Sequence, residues 1–230
     1  MSSQSTNADQ IPSGQIRPQN TWGEFNNVSF AIQQAIGKLQ TATLVRVESC
    51  TNSGGLSPVG FVDVTPLVNQ LDGSGNPTPH VTIFNVPYLR VQGGANGVII
   101  DPQQGDVGVA VFASRDISKI KSTKKQGNPG SFRQYSFSDG MYLGGMLNGT
   151  PTQYVQFNAS GITIHSPEKI TLSAPVIQMD ASASITFTTP LFTVNGTMVV
   201  TGDVTAQGTS VHTHVHSGVT TGGSDTGVPV

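Results

Sequence analysis

The sequence predicts an all-β protein that begins with one helix and ends in an intertwined three-chain β-helix. Three observations carry this prediction. Charged residues make up only 10% of the chain, against about 25% in an ordinary soluble domain. Helical apolar spacing is convincing only near the N-terminus, and alternating apolar and polar residues follow it. The last third repeats short apolar pairs at steps of 8, 7, 8, 7, 6 and 6 residues.

The composition excludes several classes of protein. The formal net charge is −2, so the positive charge that a nucleic-acid surface needs is missing. Cys50 is the only cysteine and cannot form a disulfide within one chain. The chain has no run of about 18 apolar residues that could span a bilayer as a helix. Residues 1–14 are polar and lack the apolar segment of a signal peptide.

Residues 1–40 are predicted to be a flexible arm followed by an amphipathic helix. Residues 1–20 are rich in Ser, Gln, Asn and Pro, a composition typical of a flexible segment. Thr21 and Glu24 match a capping box. The apolar stripe that follows has helical spacing and must pack either on its own domain or on a partner chain; it comprises Phe25, Val28, Ile32, Ile36 and Leu39.

Residues 41–118 are predicted to form a small five-stranded barrel of the OB-fold type. Gly-, Asn-, Asp- and Pro-rich turns separate the strand-like runs. OB-folds often bind oligonucleotides or sugars, but few aromatic and basic residues lie here, which favours a barrel used as an adaptor. The five runs are 43–49, 59–65, 81–91, 97–100 and 107–113.

Residues 119–150 are predicted to be a basic linker and neck. Gly127, Pro129 and Gly130 indicate a loop. A solvated loop and a docking site for an anionic partner explain the charge equally well. Most of the chain's positive charge falls between 115 and 133, on Arg115, Lys119, Lys121, Lys124, Lys125 and Arg133.

Residues 151–207 are predicted to form a triple-stranded β-helix. One chain has too few apolar groups here to offset an ordering entropy of about 1–2 kcal/mol per residue. Three copies wound around one axis would enclose a narrow core and pair their strand edges, whereas seven runs are too few for a single-chain solenoid. The apolar pairs, named here the apolar ladder, are Ile162/Ile164, Ile170/Leu172, Ile177/Met179, Ile185/Phe187, Phe192/Val194, Met198/Val200 and Val204/Ala206.

Residues 208–230 are predicted to be a metal-bound apex. His212, His214 and His216 alternate with other residues, so an extended strand would place all three on one face. Two histidines from each of three chains would supply six imidazoles, which match octahedral coordination of a first-row metal such as iron. Structural zinc would prefer four ligands, usually with cysteine.

No enzyme motif is present, and the sequence predicts a non-enzyme. Gly-X-Ser-X-Gly, nucleotide-binding glycine loops and His-Glu-X-X-His are all missing. One alternative is a trimeric tail fibre or adhesin that binds cell-surface polysaccharide, but no aromatic residue follows Phe192. A second alternative, a metal-dependent hydrolase, lacks the paired carboxylates that such a site needs.

From residue 22 to the C-terminus the chain resembles the central membrane-piercing spike proteins of contractile-tailed bacteriophages. Together the matching stretches are far more specific than any one of them. They are Thr78-Pro-His80, Val86-Pro-Tyr-Leu-Arg90, Asp101-Pro-Gln-Gln-Gly-Asp106, Arg115-Asp-Ile-Ser118, Pro129-Gly-Ser-Phe-Arg133, Ser138-Asp-Gly-Met-Tyr-Leu-Gly-Gly145, Asp203-Val-Thr-Ala206 and Gly222-Gly-Ser-Asp-Thr-Gly-Val-Pro229.

The resemblance implies a homotrimeric baseplate spike at the tip of the virion's contractile tail, assembled in the host cytoplasm. It implies attachment to the tail hub protein through the OB-fold and transient penetration of the bacterial outer membrane. It also implies one iron ion per trimer, held octahedrally by six histidine nitrogens. The family's small residues after the His-X-His pair match Ser217 and Gly218, which assigns His214 and His216 as the ligands. His212 is an additional candidate, which leaves open a second metal or a stacked imidazole layer.

Overall fold

The computed structural model describes residues 23–72, 75–215, 217–218 and 222–223. Across these residues the protein is mostly β-structure with few helices. They divide into two compact units, one ending at Glu168 and the other beginning at Lys169. The helices are α1 (Glu24–Gly37) and α2 (Ser118–Thr123), and a 3-10 turn spans Phe137–Asp139. The strands are β1 (Ala42–Cys50), β2 (Phe61–Pro66), β3 (Gln70–Leu71), β4 (Pro77–Thr78), β5 (Ile83–Pro87), β6 (Gln92–Gly93), β7 (Asn96–Gly97), β8 (Val107–Phe112), β9 (Gly140–Gly145), β10 (Tyr154–Asn158), β11 (Gly161–His165), β12 (Thr205–Ala206) and β13 (Thr209–Ser210).

The first unit is built on a five-stranded antiparallel sheet in the order β5-β2-β1-β8-β9. The sheet curls so that its two edge strands, β5 and β9, approach each other. Directly after β5, the backbone N–H of Leu89 donates to the carbonyl oxygen of Tyr142 in β9 at 2.8 Å. The result is a curled antiparallel half-barrel.

The core lies on one face of this sheet and follows from strand alternation. Val45 and Val47 in β1 are fully buried, while Arg46 between them is exposed. The same period of two recurs in β2 and β8, as expected for strands with one buried face. The buried apolar residues are Val45, Val47, Val62, Val64, Ile83, Val86, Tyr88, Ala110, Phe112 and Tyr142.

Three of the predicted strands are confirmed within two residues at each end. The runs 43–49, 59–65 and 107–113 correspond to β1, β2 and β8. The run 81–91 contains β5 in its middle, and Tyr88 just beyond β5 forms an isolated bridge to Tyr142 in β9.

The strand predicted at 97–100 is wrong beyond Gly97. Gly93 and Asn96 pair across a tight turn, with Gly94 at φ +58°, and residues 98–100 lie outside any strand. The sheet instead takes its fifth strand from β9, well beyond the predicted barrel range 41–118. The chain passes through α2 and the 3-10 turn before it returns to the sheet.

The predicted N-terminal helix is present as α1, but it begins at Glu24. Its N-cap is Gly23 at φ +107°, with no side-chain cap. Thr21, the predicted cap, lies outside the described residues. The stripe from Phe25 to Leu39 is exposed throughout. Neither described helix is long and apolar enough to cross a membrane.

The second unit has little regular structure in its described part. Its strands there are β12 and β13, joined by a tight turn in which Gln207 has φ +50° and Gly208 φ +82°. Between 169 and 204 the described chain forms no strand. The pairings that would make this segment a β-helix are therefore not formed within one chain.

Candidate functional site

The apolar ladder is exposed to solvent along its whole length. From Ile162 to Val204 its large side chains are 39–67% exposed. Apolar side chains at such exposure gain stability only when another surface covers them. The ladder is therefore a candidate assembly surface.

The histidine segment follows β13 directly and is held by a short polar network. The carboxylate of Asp203 accepts a hydrogen bond from the backbone N–H of His212 at 3.1 Å. Thr213 donates both its backbone N–H and its hydroxyl to the Ser210 hydroxyl oxygen, each at 2.9 Å. Hydrogen bonds from Ser210 and His212 lower the pKa of Asp203. Asp203 thus stays ionised while it fixes the entry to the histidine segment.

The extended strand predicted for the histidines is wrong at 211–213, which form a turn. Nδ1 of His214 lies 3.1 Å from the carbonyl oxygen of Val211. A carbonyl oxygen only accepts, so Nδ1 carries the proton and the lone pair of the neutral ring lies on Nε2. Such an orienting contact is typical of metal-binding histidines, and His214 therefore fits the role of a ligand through Nε2.

Of the three predicted ligands, His212 and His214 are exposed at this end of the second unit. His216 lies outside the described residues. Within the described ranges, no three His, Cys, Asp or Glu side chains of one chain come together as a metal site. An apex metal would therefore need ligands from several chains or from residues such as His216.

Part of the predicted basic segment is neutralised. Arg133 pairs with Asp139 through its Nε at 2.7 Å, and with Asp116 through its Nη2 at 3.2 Å. Hydrogen bonds from Ser118 and Ser131 hold the pKa of the Asp116 carboxyl well below its usual value. The other basic residues include an exposed group on and after α2, formed by Lys119, Lys124 and Lys125.

Lys121 makes contacts within the fold and does not belong to the exposed basic group. Its Nζ donates to the backbone carbonyls of Asn85 at 3.2 Å and Ser138 at 3.3 Å. Partial burial lowers the pKa of Lys121, although the nearby negative charge of Asp139 acts to raise it. The lysine thus ties α2 to β5 and to the 3-10 turn.

A buried ion pair joins Arg90 to Asp101. Tyr88 donates its hydroxyl to Asp101 at 2.6 Å, and the backbone N–H of Gly54 donates at 2.8 Å. Nη1 of Arg90 reaches the carbonyl oxygen of Ser57 at 2.8 Å. Burial opposes ionisation, but the hydrogen bonds from Tyr88 and Arg90 leave the pKa of Asp101 below its ordinary value. This network fastens the loop after β1 to the half-barrel.

Sequence reasoning missed both sets of ion pairs and the role of Asp203. All five residues of the pairs fall inside stretches that carry the spike resemblance, but the sequence pattern does not show which of them pair. The sequence does offer a signal for the role of Asp203. It is one of the few acidic residues of the last third and lies nine positions before His212.

Comparison with known proteins returns nothing that bears on function. No protein-family model matches the chain, and no curated protein matches it.

Proposed function

We propose that this chain is the central spike of a contractile phage tail, a homotrimer that pierces the bacterial outer membrane when the tail contracts. The observation that carries the proposal is the exposed apolar ladder, at 39–67% exposure from Ile162 to Val204. A ladder of pairs at steps of 6 to 8 residues suits a narrow core shared between copies of one chain.

Backbone hydrogen bonding supports the same arrangement. The described residues from 169 to 204 form no strand with one another. Backbone N–H and C=O groups need partners wherever burial removes water. Three copies in the same register supply those partners, because each chain's edges pair with its two neighbours. The same winding brings the ladder residues together at the axis.

Low charge supports passage through a membrane. From 136 onward the charged residues are Asp139, Glu168, Lys169, Asp180, Asp203 and Asp225, and Asp139 is buried against Arg133. Moving a charge into a hydrocarbon layer is costly. A rod with few charges lowers that cost. The half-barrel, proposed to be an OB-fold, attaches the rod to the tail hub.

The apex completes the proposed spike. His214 and His216 of each chain would hold one iron ion, with His212 as an additional candidate. The ion would act structurally: it would join three chain ends at one point and couple metal binding to folding. Asp203 and Ser210 of each chain orient the backbone that leads to these histidines.

One experiment tests assembly and apex together. Light scattering of the purified protein gives its mass, and plasma emission gives its metal content. A trimer with one iron per three chains supports the proposal, and a metal-free monomer refutes it. A trimer without metal supports the three-chain rod and contradicts the iron apex.

A matched pair of variants tests the ladder. Ile185→Asp places a charge at a ladder position and is expected to abolish the trimer, because three carboxylates would meet at the axis. Ser184→Asp places the same charge on the neighbouring residue, outside the ladder, and is expected to leave the trimer intact. Equal behaviour of the two variants would contradict the proposed core.

A further inference from the structure

The hairpin formed by β10 and β11 has one wholly apolar face. The strand register pairs Val155 with Ile164 and Phe157 with Ile162. Because side chains alternate across a strand, these four residues share one side. They are 58–74% exposed. The hairpin therefore presents an apolar face that is two strands wide.

The opposite face is polar and partly packed. It carries Gln156 opposite Thr163, and Tyr154 opposite His165. The rings of Tyr154 and His165 stack with centroids 5.1 Å apart. This face can remain in water, and so only the apolar face needs a cover. A two-stranded hairpin alone is marginally stable in water.

Charge indicates what covers the apolar face. No Asp, Glu, Lys or Arg occurs from Gly140 to Pro167. Copies related by a rotation axis bring each residue close to its own equivalents, so a charge near the axis would repel itself. A different partner protein would ordinarily be selected by complementary charge, and the hairpin offers none. The occupant that fits is the same hairpin from other copies of this chain.

We infer that this hairpin, residues 154–165, fixes the register of the three chains in the trimer. The apolar faces of three hairpins meet at the axis. The inference rests on the proposed function and adds a role that the ladder cannot perform. Ladder pairs recur at nearly equal steps of 6 to 8 residues. One chain can therefore slip by a pair and still bury apolar side chains, a weakness of repetitive strands.

The hairpin prevents such slippage because its apolar face is two strands wide, unlike the ladder pairs from Ile170 to Val200. Phe157 and Val155 lie on one strand and the ladder pair Ile162/Ile164 on the other. Among the described residues, the later pairs from Ile170 to Val200 lie on no strand and have no paired neighbour. A slipped chain would leave one hairpin face facing a single strand. Only the in-register trimer covers all three faces.

Disulfide cross-linking tests which face meets the axis. In a Cys50→Ala background, Val155→Cys lies on the apolar face and Gln156→Cys is the matched control on the polar face. Each is oxidised with copper phenanthroline and examined by non-reducing gel electrophoresis. Val155→Cys is expected to convert up to two of every three chains to a covalent dimer, because each trimer keeps one odd thiol. Gln156→Cys is expected to remain monomeric on the gel.

A second cross-link measures register directly. Ile177→Cys reports alignment within the ladder, since equivalent residues meet only when the chains are in register. Adding Phe157→Thr is expected to lower the yield of the Ile177→Cys dimer several-fold while light scattering still gives a trimer. Adding Gln156→Thr is expected to leave the yield unchanged.

The outcomes separate this inference from the proposed function. A trimer in which Val155→Cys and Gln156→Cys cross-link equally overturns the hairpin contact and leaves the spike proposal standing. A trimer whose Ile177→Cys yield is unaffected by Phe157→Thr overturns the register role. A monomeric wild-type protein overturns both proposals.

Discussion

Replacing Asp101 with alanine is expected to destabilise the half-barrel strongly, although the residue lies in a loop. The side chain of Asp101 is fully buried and that of Arg90 is 4% exposed. Asp101 also accepts from Tyr88 and from the backbone of Gly54. Its loss leaves a buried guanidinium, a hydroxyl and a backbone N–H without their acceptor.

The expected cost follows from the difference between buried and exposed pairs. Removing one partner of a buried ion pair costs about 3–5 kcal/mol. The chain contains a natural control in the surface pair Arg46–Glu48, whose charged atoms are 2.9 Å apart with side chains 51% and 29% exposed. A surface pair of this kind contributes about 0–1 kcal/mol. Asp101→Ala should therefore cost at least about 2 kcal/mol more than Glu48→Ala.

The assay is urea denaturation of the full chain at neutral pH. Near-ultraviolet circular dichroism reports on Tyr88 and Tyr142, which are buried in the half-barrel. The double variant Arg90→Met with Asp101→Ala is expected to be more stable than Asp101→Ala alone, because no unpaired charge remains buried.

Two results would refute this reasoning. One is an equal loss of unfolding free energy in Asp101→Ala and Glu48→Ala. The other is a double variant less stable than Asp101→Ala, which would mean that Arg90 contributes mainly through its contact with Ser57.

Three further outcomes are expected. The pKa of Asp116 is lowered in the folded protein by hydrogen bonds from Ser118 and Ser131, so its contribution is full above about pH 5 and is lost as pH falls below about 4; urea midpoints that stay flat from pH 5 to pH 2 would contradict this. His214→Ala with His216→Ala should remove the metal and leave the trimer, and stoichiometric iron in that variant would reject the ligand assignment. Gly108→Ala should cost about 1–3 kcal/mol, because its Cβ would meet Gly144 and Tyr142, whereas Gly149→Ala has open space and should change the urea midpoint little.

Strong alternation was enough to predict the centre of the half-barrel. β1, β2 and β8 alternate buried residues with more exposed ones, and each lies within two residues of its predicted bounds. A buried face imposes the period of two on the sequence, and so the pattern can be read without knowing the partners.

The remaining strand of the sheet could not be recognised from its residues. β9 contains three glycines in six residues, and glycine weakens any strand signal. It forms because β8 and the segment at Leu89 supply hydrogen-bond partners on both sides. The opposite error occurred at 97–100, where an apolar run predicted a strand. The chain there pairs only up to Gly97, across the tight turn at Gly94.

The candidate site was partly predictable because some of its residues form a regular pattern in the sequence. Ladder positions and His212 and His214 are visible in the sequence, and the exposure of the ladder agrees with the need for a cover. The turn at 211–213 was not visible, because it depends on the Ser210 hydroxyl and the Val211 carbonyl rather than on apolar spacing.

The position of β9 at the end of the sheet has a mechanical consequence. The chain beyond Gly145 leaves directly from a strand that pairs with β8 from Gly140 to Gly145, with one bulge at Leu143. A force applied along β9 therefore loads these hydrogen bonds in parallel, so that they share the load instead of opening one after another. Tyr142 places a bulky buried anchor in the middle of the loaded strand. A force on the chain just beyond Gly145 would thus meet several hydrogen bonds of the half-barrel at once.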